Sequence, residues 1–216
     1  MLCVNDYVFG DFIRTDLGDV DMARPLPSLD PAATALVLID LQRGIVGMQT
    51  HPRPAADVVR NAVRLIAAAR TRGALVVLVH VSFAADGADA LRLDTDEASP
   101  AGQRPANWDA FVDEVQPDTR DIVITKHQWG AFYGTDLDLQ LRRRGRRTII
   151  LGGISTNIGV ESTARDAYER GYQLILVEDA MASMRAEDHV ASVTRIFPRL
   201  GRVCTTDAVL AVWGAS

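Results

Sequence analysis

Thr148-Ile149-Ile150-Leu151-Gly152-Gly153-Ile154-Ser155-Thr156-Asn157-Ile158-Gly159-Val160-Glu161-Ser162-Thr163-Ala164-Arg165-Asp166-Ala167 reads as a strand that turns directly into a helix. Thr148 to Gly152 is an unbroken apolar, β-branched run, the pattern of a strand covered on both faces. From Asn157 to Arg170 the spacing of apolar residues becomes helical. Gly153 at the junction allows close strand-to-helix packing, and Gly159 offers a backbone N–H at a helix N-terminus without adding a side chain. Parallel strands need long crossovers, usually helical, so a strand feeding a helix is the repeating unit of a parallel sheet.

The same alternation extends in both directions. Strands are predicted at Ala35 to Asp40, Ala74 to Val81, Asp121 to Thr125, Thr148 to Gly152, Gln173 to Glu178 and Arg202 to Thr205. Between the first two, Asp57 to Arg70 carries Val58, Ala62, Leu65, Ile66 and Ala69 at helical spacing and stops at Gly73. Further helices fit Asp136 to Arg144, Asn157 to Arg170 and Ala186 to Leu200. The predicted fold is α/β, a doubly wound, Rossmann-like sheet of six parallel strands with helices on both faces. Ala84 to Asn107, rich in Asp, Ala, Gly and Pro, reads as a long loop, and such loops often act as lids or binding segments.

At 216 residues, 48% of them hydrophobic, the chain is long enough for one well-buried domain and short for two. Residues 1–30 mix aromatics, acids and prolines without a period and are expected to form an arm over the domain or a neighbouring subunit; residues 31–216 form the domain. The net charge of −5 argues against nucleic acid as a partner. The cluster Arg142, Arg143, Arg144, Arg146 and Arg147 reads as a solvated helix end. Only Cys3 and Cys204 are present, so there is neither a disulfide framework nor zinc-ligand spacing, and a reducing cytoplasm is expected. No apolar run reaches the roughly 18 residues that span a bilayer, and Met1 to Met22 carries acids where an export signal is basic and then apolar. No membrane partner is expected.

Asp40 closes the first predicted strand, Lys126 follows the third, and Gly159 starts the helix after the fourth. Ligands of open α/β sheets gather at the carboxyl ends of strands where the strand order reverses, so these three positions can converge. On residue type alone, an Asp ending a strand reads equally well as a turn residue or helix cap, and a Lys after a strand as a solvated side chain.

Five ordered segments resemble the isochorismatase-like cysteine hydrolases. They are Leu38-Ile39-Asp40-Leu41-Gln42; Ile124-Thr125-Lys126 with Gly130 to Leu137; Gly153 to Ala167; Val177-Glu178-Asp179-Ala180; and Thr205-Thr206-Asp207. The resemblance covers about Ala35 to Leu210 and implies a six-stranded parallel sheet with an Asp, Lys and Cys triad, which falls here on Asp40, Lys126 and Gly159. In that family the Asp takes the thiol proton, the Lys holds the anion, and the thiolate attacks an amide carbon. Glycine has no side chain, so the covalent route is closed at position 159. Cys3, in the arm, and Cys204, on the last strand, are not expected to replace it. The resemblance also implies an anion pocket built from the amides of Ser155 and Gly159, and a cis peptide between Ile154 and Ser155.

The true isochorismatases of this group also lack the cysteine. They cleave a vinyl ether by protonating its enol carbon, a role that would fall to Asp40. Two departures separate this chain from them. The glutamine they carry after the second strand is absent from Val79-His80-Val81-Ser82-Phe83, with Arg92 downstream, and the turn reads Ser-Thr-Asn, closer to the amide-hydrolysing branch. The expected activity is therefore hydrolysis of a small molecule, either a vinyl ether such as isochorismate or an amide-like compound, through Asp40 and Lys126. The competing expectation is an inactive small-molecule binding or regulatory protein.

His80, Ser155, Trp129, Phe132 and Tyr133 are the candidate substrate contacts, although a His at a strand end also reads as structural and the aromatics also read as core. Gln42, Arg165 and Asp179 read as structural. No cofactor or metal is expected, because His80 stands alone and His51, His127 and His189 are scattered. Relatives of this kind are homodimers or homotetramers, which is the expected assembly.

Overall fold

The computed structural model describes residues 25–96 and 104–214, so most of the expected arm, including Cys3, lies outside the described residues. The strands are β1 (Thr34–Ile39), β2 (Leu75–Val81), β3 (Ile122–Lys126), β4 (Thr148–Ile154), β5 (Gln173–Ala182) and β6 (Arg202–Cys204). They form one six-stranded sheet in the order β3-β2-β1-β4-β5-β6, and every pair is parallel. The helices are α1 (Arg43–Val46), α2 (Ala55–Arg72), α3 (Leu137–Arg143), α4 (Glu161–Glu169), α5 (Ala186–Ala191), α6 (Phe197–Leu200) and α7 (Thr206–Val212).

Two apolar layers cover the sheet. Leu36 and Leu38 of β1 pack with Val58, Ala62, Leu65 and Ala69 of α2 and with Val209 of α7. Ala35, Val37 and Ile39, pointing the other way, pack with Leu137 and Leu141 of α3, Ala164 and Ala167 of α4, and Phe197. This alternation explains why all six residues of β1 are buried. The six-stranded, doubly wound α/β expectation therefore holds.

Several boundaries differ from the sequence reading. β4 and β5 run on to Ile154 and Ala182, with the register between them shifting at Leu151 and Gly153, so Glu178 and Asp179 lie within β5. Helix α2 exceeds its predicted span at both ends and stops where Gly73 adopts φ 74°. The helix expected over Ala186 to Leu200 is interrupted by a π-helical segment, Ser192–Ile196, between α5 and α6. Lys126 does not follow β3 but is its last residue, and its side chain shares the buried face with Ile124.

β1 sends the chain outward through β2 to β3, after which β4 returns beside β1 and the chain proceeds the other way through β5 to β6. The carboxyl ends of β1 and β4 are thus the reversal point of the sheet. There the backbones come close: Gly153 lies opposite Ile39 with φ 126°, and a Cβ at Gly153 would fall 2.1 Å from the Ile39 carbonyl oxygen. Only glycine fits.

Candidate active site

Asp40 follows β1 in a left-handed conformation, φ 53°, with its N–H donating to the Val79 carbonyl at 2.8 Å. Lys126 reaches it from β3. Its Nζ donates to Asp40 Oδ2 at 2.8 Å and to the Trp129 carbonyl at 2.8 Å. Both side chains are buried, Lys126 at 2% and Asp40 at 8% exposure. Burial pushes the Asp40 carboxyl above its ordinary value, and the Lys126 charge and hydrogen bond offset only part of that effect. Asp40 Oδ1 is buried, with no hydrogen-bond partner among the described residues. The pair therefore presents one unengaged oxygen on a carboxyl whose pKa burial has raised.

The third component follows β4. The peptide between Ile154 and Ser155 is cis, as the family resemblance implies. Thr156–Val160 forms a π-helical turn leading into α4. Gly159 is buried in this turn, and a Cβ built on it would stand 3.3 Å from Asp40 Oδ2, 3.4 Å from Lys126 Nζ and 2.9 Å from Ile39 Cγ2. Position 159 thus faces the ion pair directly. The Ser155 side chain turns to its neighbours, donating to Asn157 Oδ1 at 2.7 Å and lying 3.2 Å from Ser183 Oγ.

Residues 34–208 match the family model described as the isochorismatase domain. The chain belongs to the isochorismatase family. It is 49% identical to the isochorismatase family protein YwoC of Bacillus subtilis (strain 168), over 85% of this chain and 95% of that one. It is 34% identical to the ureidoacrylate amidohydrolase RutB of Variovorax paradoxus (strain S110), over 86% of this chain and 83% of that one. Among solved structures, an isochorismatase family protein from Burkholderia thailandensis superposes with a TM-score of 0.82 at 47% identity, covering 88% of this chain and 99% of that chain. The hydrolase class is thereby supported at the level of the family.

Within this isochorismatase-family chain, the turn after β4 rests on a buried polar relay that sequence reading missed. Arg53 pairs with Glu178 and also donates to the carbonyls of Glu178, at 2.9 Å, and Met181, at 2.7 Å. His189 Nε2 lies 3.0 Å from Glu178 Oε1, and its Nδ1 lies 2.8 Å from Thr156 Oγ1. With Nε2–H donating to the carboxylate, Nδ1 accepts the Thr156 hydroxyl. Burial holds the His189 imidazole below its ordinary pKa. Burial pushes Glu178 upward, but the His189 hydrogen bond and the Arg53 charge prevail and hold it below the usual carboxylate range. These residues come from separate segments, so no sequence spacing signals the relay.

The remaining candidates divide. His80, which the sequence allows as a substrate contact or as a structural residue, lies on the sheet face opposite Lys126, with Nδ1 2.8 Å from the Asp109 carbonyl oxygen, Nε2 2.8 Å from Thr125 Oγ1, and its ring tilted against Phe111. Of the two readings the sequence allows for Phe132, the core one describes its packing, beside Tyr172. Trp129 touches the site through its carbonyl, while the residue as a whole is 66% exposed; Tyr133 is 76% exposed. Gln42 clamps Val81 through both the N–H and the carbonyl, Asp179 accepts from Thr206, and Arg165 pairs with Glu161 on its own helix. Cys204 is buried, and burial first, then the Asp179 charge, pushes its thiol up to about 12, so it remains protonated. A groove of about 660 Å³ between α2 and α7, lined by Arg64, Thr71, Arg72 and Leu210, lies along the side of the sheet and includes none of the site residues.

Proposed function

We propose that this protein hydrolyses a small molecule without a covalent intermediate on the enzyme, with Asp40 moving the proton and Lys126 balancing its charge. The observation that carries the reading is Asp40 itself: a carboxyl of raised pKa, with Oδ1 unengaged, facing a position that offers no nucleophile. In a vinyl ether such as isochorismate, the protonated carboxyl delivers its proton to the terminal enol carbon. Water adds to the resulting oxocarbenium ion and loses a proton to the Asp40 carboxylate, and the hemiketal collapses to pyruvate and an alcohol. Lys126 stabilises the carboxylate between the two transfers. In an amide or ureido compound of the kind named for RutB, Asp40 would instead act as a base towards water, with the turn amides of Ser155 and Gly159 facing the developing oxyanion.

The first measurement is pyruvate release from isochorismate, and ammonia release from ureidoacrylate, by purified protein, with Asp40→Ala as the blank. Release that disappears in the blank is the expected outcome. Release unchanged in the blank removes Asp40 from the chemistry, and no release from either substrate favours a binding protein.

A further inference from the structure

Outside the ion pair, Arg104 stands at the same end of the sheet with no carboxylate paired to it among the described residues. The Arg104 guanidinium carbon lies 4.6 Å from the centre of the Phe83 ring and 4.8 Å from that of Trp108. The two rings are stacked, 6.0 Å between centres and 11° between planes. Both are tied to the chain next to the catalytic pair. Phe83 lies two residues beyond Val81, which is in register with Lys126, and its ring neighbours His127. The Trp108 carbonyl accepts from the Gly44 N–H at 2.8 Å and from Gln42 Nε2 at 3.4 Å, pinning it to the segment that leaves Asp40.

The acids nearby are already engaged. Asp109 Oδ2 accepts from Ser82 Oγ at 2.6 Å, and Asp89 accepts from the Ala84 N–H at 2.8 Å while its other oxygen lies 3.4 Å from His127. Among the described residues, no carboxylate pairs with Arg104. A guanidinium laid on ring faces keeps its N–H edge free, and that edge matches a carboxylate bidentately. Lys126 is paired with Asp40, so among the described residues this cluster contributes one positive charge without an acidic partner.

We propose that Phe83, Trp108 and Arg104 form a specificity subsite for the carboxylate of a small, singly charged organic acid. The inference rests on the hydrolase reading for its biological meaning, although it can be tested without turnover. If Arg104 only covers the two rings, a neutral ligand and an anionic one will respond alike to its removal.

The test is an NMR titration of the full chain with benzoate and with its neutral counterpart benzamide, reading the indole N–H of Trp108, assigned through Trp108→Phe. Benzoate is expected to bind about tenfold tighter than benzamide, the scale of one charge-assisted hydrogen-bond pair. Arg104→Gln should abolish that preference while leaving benzamide within about twofold, and Arg104→Lys should restore only part of it. Equal binding of the two ligands by the wild type, or a benzoate preference that survives Arg104→Gln, overturns the proposal. Failure of every hydrolysis assay alongside an Arg104-dependent benzoate preference would sink the hydrolase reading and leave the subsite standing.

Discussion

Asp40 and Lys126 hold each other in a place where either charge alone is costly. Lys126 Nζ has two acceptors, one of them the carboxylate, and both side chains are nearly sealed from water. Removing one partner of such a pair costs about 3–5 kcal/mol, because the other charge is left buried and uncompensated. Asp40→Ala and Lys126→Met should therefore each lower the unfolding free energy by that order, while the double variant loses clearly less than the sum. Urea unfolding of the four proteins gives the coupling, and strict additivity would show that the pair does not act as a unit. Gly159 is constrained differently. A methyl there would approach Ile39 Cγ2 at 2.9 Å in a fully buried strand, so Gly159→Ala is expected to cost about 1–3 kcal/mol in thermal unfolding. Gly159→Cys meets the same contact, and any amidase activity it creates would show that Ile39 can yield and that the pair can activate a thiol.

The turn between β4 and α4 is set by neighbours drawn from three other segments, and its stability should depend on pH. In the unfolded chain the His189 imidazole takes its proton near pH 6.5, whereas burial delays this to lower pH in the folded protein. Between those two values the unfolded state binds more proton, so stability falls as the pH drops below 6.5. Glu178, also depressed, acts in the same sense below 4.5, where its contribution is lost as the folded carboxylate is protonated. Asp40 acts oppositely: its folded value is raised, so protonation as the pH falls relieves rather than destabilises the folded state. Wild-type stability measured at about pH 7.5 and again at about pH 5.5 should drop by no more than about 1.4 kcal/mol per pH unit for this one proton. His189→Gln should be less stable at the higher pH and show a flatter profile; an equally steep profile would assign the proton to another group. The turn was legible in the sequence because an apolar strand run gives way to helical spacing within a few residues, and Asp40 because it ends such a run. The Arg53, Glu178 and His189 relay was not, since its members sit far apart and each alone resembles an ordinary helix or strand residue. The sequence does not separate a core from a pocket role for Phe132, because its segment mixes a buried residue with the exposed Trp129 and Tyr133 and no period distinguishes them.

The whole sheet is wound from β1 and β4 outward, so the candidate site sits over buried strands at the centre of the sheet while the thin strand β6 closes one edge. Cys204 ends β6, buried and paired in register with Val177, and its thiol remains protonated. Attack on a disulfide reagent requires the thiolate and access, so Cys204 should react only through opening. Two kinds of opening are distinguishable. If β6 frays locally, little new surface is exposed and the labelling rate hardly depends on urea; if the sheet opens as one body, the rate rises with urea along the slope of global unfolding. Both apolar layers extend to this edge, with Val203 in one and Cys204 in the other, each against residues from β5. Cooperative opening is therefore expected. In a Cys3→Ser background, the urea dependence of Cys204 labelling should match that of unfolding followed by tryptophan fluorescence. A flat dependence would place β6 outside the cooperative unit and limit the rigid scaffold beneath the site to β1 through β5.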